Sequence, residues 1–179
     1  MILRILFIVT GAVALVIGAI LVYAAATRPN VFRIERAITV NALPEKVFPL
    51  IDNLRNWKLW NEQAQGPDTK QSYDGPANGA GATAEWSGKG STGAGSMLIT
   101  KSLPPTKISV QVNWRRPFQT VNMNEFTLVP EGNSTRVIWT MHGPNLYIMK
   151  LMSVFTNMDR MMGEHFEAGL ANLKKAAEQ

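Results

Sequence analysis

Cysteine is absent from all 179 residues, which removes disulfides, thiolate metal sites, cysteine nucleophiles and lipid-modified cysteine together. Histidine is scarce: His142 and His165 lie far apart and form no H-E-x-x-H motif, so no metal and no cofactor are expected. Basic clusters are also missing. Lysine and arginine number 18 against 13 acids, a net +5, but the only adjacent basic pairs are Arg115-Arg116 and Lys174-Lys175. Nucleic-acid binding calls for denser patches, and a nucleic-acid partner is not expected. Ser96 follows Ala94 where a nucleophile elbow requires glycine. The run Gly79-Ala80-Gly81-Ala82-Thr83-Ala84 leads into a strand pattern where a dinucleotide-binding turn requires a helix. Its glycines suit turns and bends in a curved sheet.

One long hydrophobic run is present. Ile5 to Ala26 carries no charge, and as a helix its 22 residues span about 33 Å, slightly more than a hydrocarbon core of roughly 30 Å. Arg4 and Arg28 flank it, and Tyr23 falls where an interfacial aromatic belongs. The competing reading is a cleaved signal peptide ending at Ala24-Ala25-Ala26. The run exceeds the usual signal core of roughly 7–15 residues, which favours a retained transmembrane anchor over 1–27 and a single-pass cell-membrane protein. Arg28, Arg33 and Arg36 pull the following domain toward the cytoplasm, yet long domains translocate despite such charges, so its side stays open. Thr27 to Phe32 reaches at most about 20 Å when extended. The domain over 31–179 is therefore expected against the bilayer.

Within that domain, Ile34, Ile38 and Val40 alternate as in a half-buried strand. Pro44-Glu45-Lys46 opens a helix, with proline and an acid in its first turn, and Trp57 and Trp60 continue its apolar side into a second short helix. Short alternating runs follow, near 70–74, 82–87, 95–102, 107–114, 120–129 and 135–142, with Pro104-Pro105 and Glu131-Gly132-Asn133 as turns. Counting the first strand, seven antiparallel strands result. From Tyr147 to Ala177 the pattern is helical. Leu151, Phe155, Met158, Met162, Phe166, Gly169 and Leu173 fall within about 60° on a helical wheel, a face expected to lie across the sheet.

Pro44-x-x-Val47-Phe48-x-x-Ile51-x-x-Leu54-x-x-Trp57-x-x-Trp60, then Gly95-x-Met97-x-Ile99, Glu125-Phe126-Thr127-Leu128 and Thr135-Arg136-Val137-x-Trp139 stand in an order that resembles the helix-grip fold of the START-like superfamily, also called the polyketide cyclase and lipid-transport family. The resemblance covers about 31–177. It implies an α+β architecture in which a curved seven-stranded antiparallel sheet wraps a long C-terminal helix. It also implies a cavity for lipids, sterols, polyketides or other apolar ligands. Cyclases, hydrolases, hormone receptors and chaperone-associated domains share this fold, so function must come from the site.

Alternation places Asn122 and Asn124 on one face with Phe126 and Leu128, and Trp139 with Val137 and Met141. Two core-facing asparagines left dry and unpaired would cost roughly 1–3 kcal/mol each. They meet water beyond the core, solvate a cavity or bond a ligand. Trp57, Trp60, Trp86, Met97 and Trp114 are the expected apolar wall, joined by Phe126, Trp139, Met158, Met162 and Phe166. Gly169 on the inner helix face makes room. Leu146, Tyr147, Ile148 and Met149 are an expected gate against the bilayer; the alternative is that they begin the final helix and pack.

The first reading is non-catalytic, membrane-tethered binding or transport of a hydrophobic small molecule or lipid. The second is a cyclase or hydrolase on an apolar substrate, with Asn122, Asn124, Glu125 and His142 as its polar groups. The third is a chaperone-associated protein-interaction module.

Overall fold

The computed structural model describes residues 2–61, 69–89 and 92–179. Its first element is α1, Ile2–Thr27, long and apolar enough to cross a membrane and with none of its apolar window covered by the rest of the chain. Arg28-Pro29-Asn30 then leads into β1, Val31–Val40. Helix α2, Pro44–Asp52, starts on proline and carries Glu45 in its first turn, as an unpaired N–H and a helix dipole favour. A 3-10 helix, Leu54–Leu59, follows, capped by the Asn53 side chain, which accepts from the Arg55 N–H. The indoles of Trp57 and Trp60 donate to the Ile51 and Leu50 carbonyls at 2.8 and 2.9 Å. These bonds tie the short helix to the end of α2.

Six more strands complete one sheet: β2 Lys70–Asp74, β3 Thr83–Ser87, β4 Ala94–Leu103, β5 Lys107–Arg116, β6 Thr120–Glu131 and β7 Ser134–Pro144. The strand order is β1-β7-β6-β5-β4-β3-β2, and every pairing is antiparallel. The chain therefore meanders from β2 to β7, and β1 closes onto the last strand. The expected alternation holds, with bounds moved by one or two residues. Gly132 adopts φ +64 at the β6–β7 turn, a conformation in which a side chain is strained. Gly95 is needed for space instead, because the ring of Trp86, its partner across β3 and β4, lies where a Cβ would project.

The terminal helix differs from the expected single rod over 147–177. Helix α3 spans Tyr147–Phe155 and stops at extended Thr156. Helix α4 spans Met158–Glu178, begun by Asn157, whose side chain accepts from the Arg160 N–H at 3.0 Å. The cause is local: an asparagine cap with Asp159 in the next turn restarts the helix, and the axis turns between the two pieces. The expected common face is accordingly split. Gly163, Phe166, Gly169, Leu170, Leu173 and Ala177 of α4 are buried, whereas Phe155 of α3 is 74% exposed.

Helix α4 packs on β1 and α2, while α3 packs on α1. Arg36 of β1 clamps α4 from outside, lying over Gly163 and reaching Asp159 at 3.0 Å and Glu167 at 2.8 Å. The core between sheet and helices holds Val40, Val47, Ile51, Ile99, Ile108, Val110, Leu128, Val137, Leu170 and Leu173. It fills the far end of the sheet, under the C-terminal half of α4. The near end is open.

Candidate functional site

That open end is a pocket of about 660 Å³, inside the roughly 300–1,000 Å³ typical of small-molecule sites. The sheet supplies Trp86, Met97, Val112, Trp114, Thr120, Asn122, Asn124, Trp139 and Met141, and α4 supplies Met161, Met162, His165, Phe166 and Gly169. Trp57 of the 3-10 helix, Pro117 and Phe118 of the β5–β6 turn and Met149 of α3 also line it. Two aromatic groups frame the space. Trp139 stacks on Phe166 with ring centroids 4.0 Å apart and planes 6° off parallel, and Trp86 meets Trp114 edge-on at 5.0 Å.

Gly169 faces this stack. A Cβ there would lie 3.1 Å from the Trp139 ring, so the glycine admits the indole where alanine would press on it.

Among the residues expected to form the wall, Trp57, Trp86, Met97, Trp114, Asn122, Asn124, Trp139, Met162 and Phe166 come together here. Trp60 and Phe126 do not line the pocket. Both are fully buried and meet edge-on with centroids 6.0 Å apart: alternation fixes which way Phe126 points but not how deep along β6 the core ends, and the Trp60 indole is tied back to the Leu50 carbonyl. Met158 lines a second space. That space, of about 630 Å³, lies between Arg28, Pro29, β1, α3 and the start of α4. Met149 and Met162 line both spaces and stand between them.

Of the four residues expected to form a gate, only Met149 touches either space. Leu146 precedes α3, and Tyr147 and Ile148 form its first turn, exposed beside α1, with the Tyr147 hydroxyl donating to the Leu21 carbonyl at 3.0 Å. The segment begins a helix, and that helix carries an exposed apolar side. Helix α3 also holds the linker. Lys150 Nζ donates to Asn30 Oδ1 at 2.6 Å, Arg28 donates to the Ser153 carbonyl at 2.9 Å, and Asn145 bonds the Asn30 and Pro29 carbonyls through its N–H and side-chain amide.

The two asparagines have different fates. Asn124, 2% exposed, accepts the Trp139 indole N–H at 2.8 Å. Asn122, 4% exposed, has no partner for Oδ1 among the described residues, and neither has the Thr120 hydroxyl. Thr120 lay outside the expected set, although it shares the parity of Asn122. Glu125 and His142 line neither space. Glu125 takes an ion pair from Lys107 at 3.2 Å, and both residues belong to the opposite parity, on the outer face of the sheet.

Ionisable chemistry in the pocket is sparse. Among the described lining residues, His165 alone is ionisable, and no group of three or more metal-binding side chains occurs among the described residues. Perturbed carboxyls lie elsewhere. The Thr140 hydroxyl and the Arg33 guanidinium hold Glu35 below the ordinary carboxylate range on the outer face.

A curved antiparallel sheet closed around a terminal helix, with a pocket at one end, defines the helix-grip class. The family model for polyketide cyclase / dehydrase and lipid transport matches residues 31–178, and the chain belongs to that family. Solved structures agree on the fold. A structural-genomics protein from Chromobacterium violaceum is 14% identical, covers 85% of this chain and 99% of its own, and superposes with a TM-score of 0.59. A hypothetical protein from Helicobacter pylori is 8% identical over 87% of this chain and 92% of its own, with a TM-score of 0.62. The Aha1 dimer from Colwellia psychrerythraea is 22% identical over 82% and 96%, with a TM-score of 0.55. Comparison with curated proteins gives no match.

Proposed function

We propose that this chain binds a hydrophobic small molecule or lipid in the pocket between the sheet and α4. It holds that ligand without chemistry, beside a membrane that α1 crosses. The observation carrying this reading is the lining: Trp57, Trp86, Trp114 and Trp139 with methionines, and His165 as its one described ionisable group. General acid–base or nucleophilic catalysis requires converging titratable groups. Membership of a family described by lipid transport supports hydrophobic ligands in general. The exposed apolar side of α3 next to α1 supports loading from the bilayer, with Met149 and Met162 as flexible gate residues between the linker-side space and the pocket. Residues 1–27 serve as anchor and 31–179 as the binding domain.

The test is to purify the full chain in mild detergent, extract it with organic solvent and identify co-purifying molecules by mass spectrometry. An apolar molecule bound in stoichiometric amount, and lost on Trp139→Ala, is the expected result. A protein that stays empty and takes up no lipid from vesicles refutes the reading.

A further inference from the structure

The polar end of the pocket carries information about the ligand. Asn122 and Thr120 are two residues apart on β6 and face the same way, and both line the pocket. Asn122 Oδ1 and Thr120 Oγ1 are buried atoms with no hydrogen-bond partner among the described residues. A buried carbonyl left unpaired is costly enough that native folds almost always satisfy it. Gly143 shows that the amide has a place kept for it. It continues the β7 register beyond His142 and so lies opposite Asn122, and a Cβ at Gly143 would collide with Asn122 Oδ1.

The chemistry of these two groups is selective. Asn122 Oδ1 only accepts, so it requires a donor, while the Thr120 hydroxyl both donates and accepts. A ligand hydroxyl carries what each group needs, a donor for Asn122 and an acceptor for Thr120. A carboxylate only accepts, leaves Asn122 Oδ1 unpaired, and would enter a pocket with no lysine or arginine among its described lining residues. The residues outside the described set, 1, 62–68 and 90–91, include no lysine or arginine either.

We infer that the ligand is a neutral amphiphile, an apolar body ending in a hydroxyl, and that Asn122 and Thr120 select it over the corresponding acid. This rests on the apolar-ligand reading above and names its ligand class. The test places the full chain in phosphatidylcholine nanodiscs and titrates three probes of one chain length: hexadecan-1-ol, hexadecane, and hexadecanoate at a pH where it is ionised. Binding is read from tryptophan emission and from bound probe per protein. The alcohol is expected to bind about tenfold more tightly than the alkane or the carboxylate, the scale of one well-made buried hydrogen bond. In Asn122→Leu that advantage over the alkane falls to about one, and Thr120→Val reduces it in part.

A carboxylate bound as well as the alcohol overturns the inference, as does an alcohol advantage that survives Asn122→Leu. In both cases alkane binding keeps the apolar-pocket reading intact. If none of the three probes binds, both fail. The ranking in wild-type protein decides the matter even where a variant does not fold.

Discussion

The Trp139 indole N–H points at Asn124 Oδ1 from 2.8 Å, across neighbouring strands and inside the pocket wall. Each residue explains the other: a buried indole donor needs an acceptor, and a buried amide needs a donor. Asn124→Leu strands the indole and is expected to lower stability by about 1–3 kcal/mol in chemical unfolding. The double variant Asn124→Leu with Trp139→Phe removes both groups and should recover part of that loss. A double-mutant cycle with no coupling between the two positions would refute the pairing.

Gly169→Leu should shrink the pocket and destabilise the fold. The new side chain meets the Trp139 ring, whose nearest atom already lies 3.1 Å from a Cβ at that site, and overpacking of this kind costs about 1–3 kcal/mol. Unfolding midpoint and ligand uptake should fall together.

Gly163→Ala gives the opposite of what helix propensity alone predicts. Alanine favours a helix over glycine by about 1 kcal/mol, yet a Cβ at 163 would occupy the space of the Arg36 guanidinium. The clamp from Arg36 to Asp159 and Glu167 would open. Faster amide exchange in the first half of α4 checks this, and unchanged or slower exchange contradicts it.

Acid should loosen the end of α4 through Glu178. Its carboxylate accepts from Lys174 Nζ and from the Asn41 N–H, which hold it below the ordinary carboxylate range. Because the folded-state pKa is depressed, the stabilisation is present above the unfolded carboxylate's pKa and is lost as pH falls through the folded value. Glu178→Gln should therefore weaken the chain at neutral pH, and its difference from wild type should vanish on acidification below the carboxylate range. Thermal melts at a series of pH values read this directly.

The anchor is tested by fractionation. The full chain should sediment with membranes and resist alkaline carbonate, whereas a variant with three arginines placed within 8–18 should be released, since each charge at a helix centre costs about 2.5–3.5 kcal/mol of insertion. Recovery of a shortened chain lacking α1 from cells would point to a cleaved signal instead.

Much of the architecture was legible because strand period and turn chemistry are local. Ile34, Val40, Leu128 and Val137 announced their faces without any partner being known. The break in the terminal helix was hidden, because Phe155, Met158 and Met162 preserve helical spacing across Thr156 and Asn157. The cap signal of Asn157 and Asp159 was present but outweighed by that apolar rhythm. Parity put Asn122 beside Asn124, yet only the register against β7 shows that Trp139 bonds one and Gly143 lies opposite the other. Depth was illegible for the same reason: nothing along β6 marks that Phe126 is sealed in the core while Thr120 reaches the pocket.

The bonds from Arg28, Pro29 and Asn30 to Asn145 and α3 make the connection between the apolar helix and the sheet a bracket instead of a leash. A domain on a leash samples a hemisphere of orientations, and its opening faces the bilayer only part of the time. On a bracket the opening keeps one bearing relative to the apolar helix. Where that helix crosses a bilayer, as proposed, capture of a ligand dissolved there becomes a search in two dimensions.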